Sequence, residues 1–408
     1  MKYTKHIKQA SILCAATALL SSQAFASGFM IPEQGARAMG MSNAYAAIAD
    51  TPSANWFNPA GLSNQDNGIS VSGDLVYPLN EYKAGGQTYS AKKGVHVVPQ
   101  AYIRYGSDDS KISYGLGINS PFGLSVDWTG SGAPFTGLAA GGKGVTFSEI
   151  QAVHINPNIA YQINDEFSVA VGIQYYNAFK VHLNNDVINI GGSGDGFGGN
   201  FAFMYKTDVW SIGGSYRSKV KVDLTGTEVG GVLLGALSGT SADAKTSLTI
   251  PDLHTLSIAY HVTSNWLLSA QLDRTNWTTF DKIEIQNGAP ISTAIGATST
   301  TPENWKATIA IRLGTEWKMD KVSRLRAGYT YDPTPTNTAD FSPRLPGNDR
   351  QLVSVGYGRD LSEDLTMDMA YMYVWLKDRT ATTPTNAAYH GVYKGTVNLF
   401  SAAISYRY

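Results

Sequence analysis

Phe167-Ser168-Val169-Ala170-Val171-Gly172-Ile173-Gln174-Tyr175 decides the fold of this chain. Its odd positions are large and apolar, and its even positions are small or polar. A strict period of two marks a strand whose faces meet different surroundings. The pattern returns at Leu365, Met367, Met369, Tyr371, Tyr373 and Trp375, set against Asp364, Thr366, Asp368 and Ala370. It recurs at Trp266, Leu268, Ala270 and Leu272, and at Ile112, Tyr114, Leu116 and Ile118.

Extending this reading along the chain predicts fourteen strands, at about 68–82, 95–106, 110–120, 146–163, 166–186, 198–206, 208–227, 245–262, 265–286, 303–319, 321–332, 349–360, 364–378 and 394–408. Their connections alternate between short turns, such as Asn164–Asp165 and Thr263–Ser264, and long loops near 83–94, 121–145, 187–197, 228–244, 287–302, 333–348 and 379–393. A sheet that crosses lipid must close, because hydrocarbon offers no hydrogen bonds to an open edge. An even strand count with turns on one side and loops on the other is the asymmetry of a bacterial outer-membrane barrel. Tyr102, Tyr105, Trp210, Trp266, Trp317, Tyr329, Tyr331, Tyr371, Tyr373 and Trp375 stand near strand ends, as interfacial girdles require. A soluble β-sandwich or a secreted solenoid is the competing reading. Strands of this length with almost no charge on one face argue against it.

Composition points the same way. Of 408 residues 15% are charged, against about a quarter in soluble proteins, and the mean hydropathy is −0.15. Spanning helices would raise that average, and after residue 26 no apolar run reaches the length of one. A net charge of −1 without a basic block argues against nucleic acid as a partner.

Residues 1–26 read as a secretory leader: Lys2, Lys5 and Lys8, then an apolar stretch from Ala10 to Leu20, then Ala24-Phe25-Ala26 as a cleavage site. Its removal takes the net charge to −4 and carries away Cys14, the chain's one cysteine. Residues 27–67 do not alternate; they are small-residue segments with a turn at Asn58-Pro59, and fit a hatch plugging the barrel of residues 68–408.

Several separated motifs carry a family resemblance: Ser27-Gly28-Phe29, Ala44 to Asp50 leading into Asn58-Pro59-Ala60-Gly61-Leu62, Pro121-Phe122-Gly123-Leu124, and Gly328 to Pro335 followed by Pro343 to Arg350. Together and in order they resemble the FadL-type outer-membrane transporters of long-chain fatty acids and other hydrophobic compounds. The resemblance implies an all-β, fourteen-stranded antiparallel transmembrane barrel with a hatch, in the outer membrane of a Gram-negative bacterium. It implies passive uptake of a hydrophobic small molecule, without cofactor or metal, by a monomer among outer-membrane lipids. The route is a site in the outer loops, a tighter inner pocket, and sideways exit beside a kinked third strand. The last strand, with Phe400, Ala402, Ile404, Tyr406 and Tyr408 on one face, resembles the signal read by barrel-assembly machinery.

Candidate site residues follow. Phe122, Leu124, Trp128, Phe135 and Leu138 in one loop, and Val232, Leu233, Leu234 and Leu237 in another, offer an apolar collecting surface or pack together to close the mouth. By resemblance, Phe29 joins the inner pocket and Glu303 lies near a head-group site, where Thr301 replaces the basic residue that the family places two positions before. Lys180, Lys306 and Arg312 are the cations that would hold a carboxylate, or ordinary lumen charges with acidic partners. Gly115 and Gly117 mark the third strand as a candidate kink. The glycine-rich run 191–199 lacks the Lys-Ser/Thr of a phosphate loop and reads as a flexible loop. The competing functions are uptake of aromatic hydrocarbons by the same route, an outer-membrane lipid hydrolase, or a structural adhesin.

Overall fold

A computed structural model describes residues 28–107, 109–136, 144–383 and 386–408. The leader, and Leu138 of the first loop, lie outside the described residues. The staves are β1 Gly68–Ala84, β2 His96–Gly106, β3 Ile112–Asn119 continued by Gly123–Asp127, β4 Phe147–Gln162, β5 Phe167–Asn184, β6 Ile188–Lys206 and β7 Trp210–Arg217 continued by Val220–Gly230. They go on with β8 Ser241–Ile250 and Leu253–Thr263, β9 Trp266–Thr275 and Lys282–Asn287, β10 Thr298–Pro302 and Thr308–Lys318, β11 Ser323–Asp332, β12 Arg350–Asp360, β13 Leu365–Leu376 and β14 Gly391–Arg407. Each pairs antiparallel with the next, and β14 closes on β1 from Gly68↔Arg407 to Lys83↔Val392. The fold is a closed fourteen-stranded antiparallel β-barrel.

Alternation sets what faces out. Leu256, Ile258, Leu268, Leu272, Ile309, Ile311 and Leu313 are exposed on the outer face, where an apolar band suits lipid. Tyr105, Trp210, Trp266 and Trp317 ring its short-turn end, and Tyr329 and Tyr331 its long-loop end. Tyr102 corrects the girdle reading: its parity turns it inward, buried, and its hydroxyl donates to the Gln34 carbonyl at 3.0 Å.

The run 191–199 is not a flexible loop. It lies inside β6, paired with β5 on one side and with the upper part of β7 on the other. The expected long loop at 187–197 is accordingly a tight turn between Asn184 and Ile188. Glycine is needed here because the neighbouring strand comes very close: a Cβ on Gly196 would stand 2.2 Å from the Lys221 carbonyl oxygen.

Four adjacent staves break along one row. The lower ladders of β7, β8, β9 and β10 end on the register partners Arg217, Leu253, Thr275 and Thr308. Beyond that row a second set of ladders resumes, with Val220 opposite Ile250 and Lys282 opposite Pro302. The outward residues change with it: Lys221, Asp223, Asp243, Lys245, Lys282 and Glu284 are exposed, whereas Val222, Leu224, Leu248 and Ile285 are buried on the inner face. Above the lipid band these strands form a flap, polar outside and apolar inside.

Residues 28–66 lie within the barrel and are mostly buried. Short turns at α1 (Ala36–Met39), α2 (Ala54–Phe57) and a 3-10 turn at Pro59–Asn64 suit segments too poor in large side chains for a core of their own. Asn58 caps the last turn through its Oδ1, which accepts from Ala60 N at 3.1 Å, while its Nδ2 donates to Ala46 O and Phe203 O. Pro59 fits the first turn, where its missing N–H costs nothing. Ala60 is fully buried, and its carbonyl accepts from the Ser168 hydroxyl at 3.0 Å.

Charge pairs tie this segment to the wall. Arg37 bridges Asp50 at 2.6 Å and Glu316 at 3.2 Å, while Arg326 bridges Glu316 and Asp368, both at 2.6 Å. Across the lumen Arg217 donates to Asn55 O and Trp56 O and lies 4.4 Å over the Trp56 ring.

Candidate functional site

Apolar side chains converge above this packed lumen. The inner face of the flap, β4 and β5, and the loop 333–349 enclose a cleft of about 1060 Å³ of empty space, open at its mouth. Its walls include Leu124, Ile150, Val181, Leu224, Leu248, Ile283, Ile285, Phe341 and Leu345. Phe29, Phe280 and Trp305 line it as well. Phe29 packs edge-on against Trp277 at 4.7 Å and Phe280 at 5.5 Å, with Trp305 5.9 Å away. Gly28 permits this seat: its φ is +62°, and a Cβ would stand 2.5 Å from the Trp277 ring.

Phe29 also leads into an isolated β-bridge. Met30 pairs with Phe122, the Ile31 N–H donates to Pro121 O at 2.8 Å, and the Gly123 N–H donates to Phe29 O at 2.9 Å. The N-terminal tail therefore completes the third strand where β3 breaks at residues 120–122. On its other side that strand leaves a window. The β2–β3 ladder ends at Ala101↔Ile118, so the strand ladder of Val97–Gln100 is with β1 alone among the described residues. The Lys92 N–H donating to Asp127 O at 2.7 Å closes the window at the top.

The glycines read as a kink sit below it in regular ladder, Gly115 opposite Arg104 and Gly117 opposite Tyr102. Their small size admits the internal segment: a Cβ on Gly115 would stand 2.4 Å from Asn55 Oδ1, and one on Gly117 2.6 Å from Asn55 Nδ2. The interruption falls at Ser120-Pro121-Phe122 instead, where proline cannot donate to a ladder.

The candidate charges separate by height. Glu303 reaches the cleft, and its two oxygens are taken by Arg344 Nη2 at 2.9 Å and by the Trp305 indole N–H at 3.1 Å. Burial pushes this carboxyl above the usual carboxylate range, against the pull of Arg344 and the indole. Lys180 is half exposed and pairs with Glu149 at 2.9 Å, outside the lining. Lys306 is exposed, and its backbone N–H donates to Pro335 O. Arg312 faces the lumen lower down, with Asp273 at 2.5 Å and Ser42 O as partners, so it ties residues 28–66 to the wall.

In the first loop Phe122, Leu124, Trp128 and Phe135 are buried; Trp128 donates to Pro343 O, and Phe135 packs against Trp128, Tyr82 and Tyr389. Trp128 and Phe135 close the mouth against one another, Leu124 faces the cleft, and Phe122 packs lower, against Phe29, Tyr176 and Trp277. Val232 and Leu233 are exposed on a one-turn tip, whereas Leu234 and Leu237 are half-buried, Leu234 against Ile188 and Ile291. Trp277, Phe280, Trp305, Phe341, Leu345 and Arg344 were not singled out from the sequence. The three-residue spacing of Trp277 and Phe280 breaks the strand period and was the available signal, because only a turn puts both inside.

These features define an outer-membrane barrel with an internal segment and an apolar cleft above it. The family profile described as "Outer membrane protein transport protein (OMPP1/FadL/TodX)" matches residues 17–408, and the chain belongs to that family. It is 23% identical to a long-chain fatty acid transport protein of Escherichia coli over 98% of both chains. It is 24% identical to outer membrane protein P1 of Haemophilus influenzae, over 98% of this chain and 99% of that one. Among solved structures, a Pseudomonas aeruginosa FadL homologue superposes with a TM-score of 0.78 at 18% identity, covering 93% of this chain and 99% of that one. The Ralstonia pickettii toluene transporter TbuX gives 0.70 at 17% identity, with 92% and 98% covered. The family places the chain among outer-membrane transport proteins.

Proposed function

We propose that the chain takes up hydrophobic small molecules passively, along the cleft, past the N-terminal tail, and out through the window between β2 and β3. The observation that carries this reading is the double engagement of the tail. Phe29 is part of the cleft floor, and the next two residues complete the broken third strand. A ligand that displaces Phe29 therefore withdraws residues 29–31 from the break beside the window.

Burying an apolar ligand supplies the driving force, at roughly 25 cal/mol per Å² removed from water. Direct passage down the axis is disfavoured. Below the tail lie Asn55, Asn156, Asn158, Asn200 and Arg217, hydrogen-bonded to one another and to the backbone. An apolar molecule crossing that cluster would leave buried polar groups unpaired.

Val97 sits on the free edge of β2 and Val353 on the outer face of β12. A cysteine at Val97 coupled to a bulky maleimide after folding is expected to cut uptake roughly fivefold or more while cleft binding persists. The same label at Val353 is expected to change neither. Equal uptake by the two labelled proteins would contradict sideways exit.

A further inference from the structure

Among the described residues, Arg344, His182 and the exposed Lys245 line the cleft, and the first two each face a carboxylate. Arg344 is held by Glu303 at 2.9 Å, and Lys180 and His182 both face Glu149, at 2.9 and 3.6 Å. We propose that the Glu303–Arg344 pair is the specificity determinant of the cleft, neutralising its one buried guanidinium so that uncharged hydrophobic molecules are preferred over carboxylates and other amphiphilic anions. This rests on the cleft being the ligand site, as proposed above, and adds the class of ligand it selects.

The geometry carries the argument. Glu303 stands in the break of β10, and Arg344 comes from the loop between β11 and β12. The pair thus joins two walls of the cleft, and both side chains are almost fully buried. Trp305, itself a cleft wall, donates to the second carboxylate oxygen, and Asn337 Nδ2 fixes the Glu303 backbone by donating to its carbonyl at 2.8 Å. An anionic head group reaching Arg344 has to evict Glu303. That carboxylate would then stay buried with an indole N–H as its strongest remaining partner, and an uncompensated buried charge costs more than a surface contact returns. An uncharged ligand meets the aromatic and aliphatic walls and leaves the pair intact.

Protonation acts in the same direction as substitution. Adding a proton to Glu303 removes its negative charge and releases Arg344, with Asp340 as the remaining carboxylate beside the pair, so anions should bind more tightly as pH falls through the raised titration range of Glu303.

The test compares decanol with decanesulfonate, an equal chain that stays ionised at every pH used, binding to the purified full-length barrel. The wild-type protein is expected to prefer decanol. Glu303→Gln is expected to raise decanesulfonate affinity roughly tenfold, with decanol unchanged within about twofold. The double change Glu303→Gln with Arg344→Gln is expected to lose that gain. In the unaltered protein, which needs no variant to fold, decanesulfonate affinity should rise on acidification and decanol affinity should not. A wild-type barrel that binds the two equally, or a decanol-to-decanesulfonate ratio that neither Glu303→Gln nor acidification moves, overturns the proposal while the cleft remains the ligand site. If neither probe binds any of these proteins, the uptake reading fails with it.

Discussion

Oxidising a Met30→Cys, Phe122→Cys double variant is expected to stop uptake, and adding reductant to restore it. The two residues are bridge partners, and the bonds that flank them, Ile31 N–H to Pro121 O and Gly123 N–H to Phe29 O, make them a non-hydrogen-bonded antiparallel pair. In such a pair the Cα atoms stand about 4.5 Å apart, within the span of a disulfide. The only natural cysteine is Cys14, within the segment 1–26 that reads as a secretory leader, and Cys14→Ser removes any competing thiol. The crosslink fixes the tail in the third strand without touching the cleft walls above Phe29. Uptake should fall roughly tenfold or more in the oxidised protein, whereas equilibrium binding to the cleft persists. Uptake that is indifferent to oxidation would mean that the tail does not gate the route.

The second large effect concerns stability. Arg326 is fully buried between Glu316 and Asp368, at 2.6 Å from each. Glu316 has Arg37 as a further partner at 3.2 Å, whereas Arg326 is the ion-pair partner of Asp368. Arg326→Met therefore strands a buried carboxylate beneath the plug, and the expected loss is about 3–5 kcal/mol. Denaturant unfolding in detergent micelles measures it. Lys221→Met breaks an exposed pair with Asp223 on the outside of the flap and should leave the midpoint in place. Equal midpoints for Arg326→Met and the wild type would remove the charge network from the forces that hold the plug.

The barrel was legible because its physical signals are local. Alternation from Phe167 to Tyr175 fixes which face meets lipid, and closure follows from the absence of hydrogen-bond partners there. The break across β7 to β10 was not legible. Alternation resumes on both sides of Ser218 and Lys219, and on both sides of Pro251 and Asp252, which hides those breaks, while Thr298–Pro302, expected as loop, is the upper strand of β10. Pro251 was the usable signal, since it cannot donate to a ladder. The glycine run 191–199 misled for a related reason. Its lack of side chains looks like loop composition, whereas the requirement is set by the neighbouring strand.

For the site, parity showed that Arg312 faces inward but said nothing about its height. It stands at the plug, some way below the cleft. Arg344 was missed because cations were sought on strands, and it lies in a proline-flanked loop whose position depends on contacts distant in sequence. Phe29 was reached through resemblance alone; nothing local in Ser27-Gly28-Phe29 announces an aromatic cage built from Trp277, Phe280 and Trp305.

The central claim is that the hydrophobic ligand leaves sideways past the displaced tail. Photolabelling during uptake tests it most directly, using a decane-chain diazirine probe and mass spectrometry of the labelled peptides. The account predicts labels on the cleft walls, at Trp305, Phe341 and Leu345, and then on the window edges near Val97, Pro99 and Ile118. Labels on Gln65, Asp66, Ser405 and Tyr406, which line the polar vestibule beneath the plug, with none at the window, would contradict it.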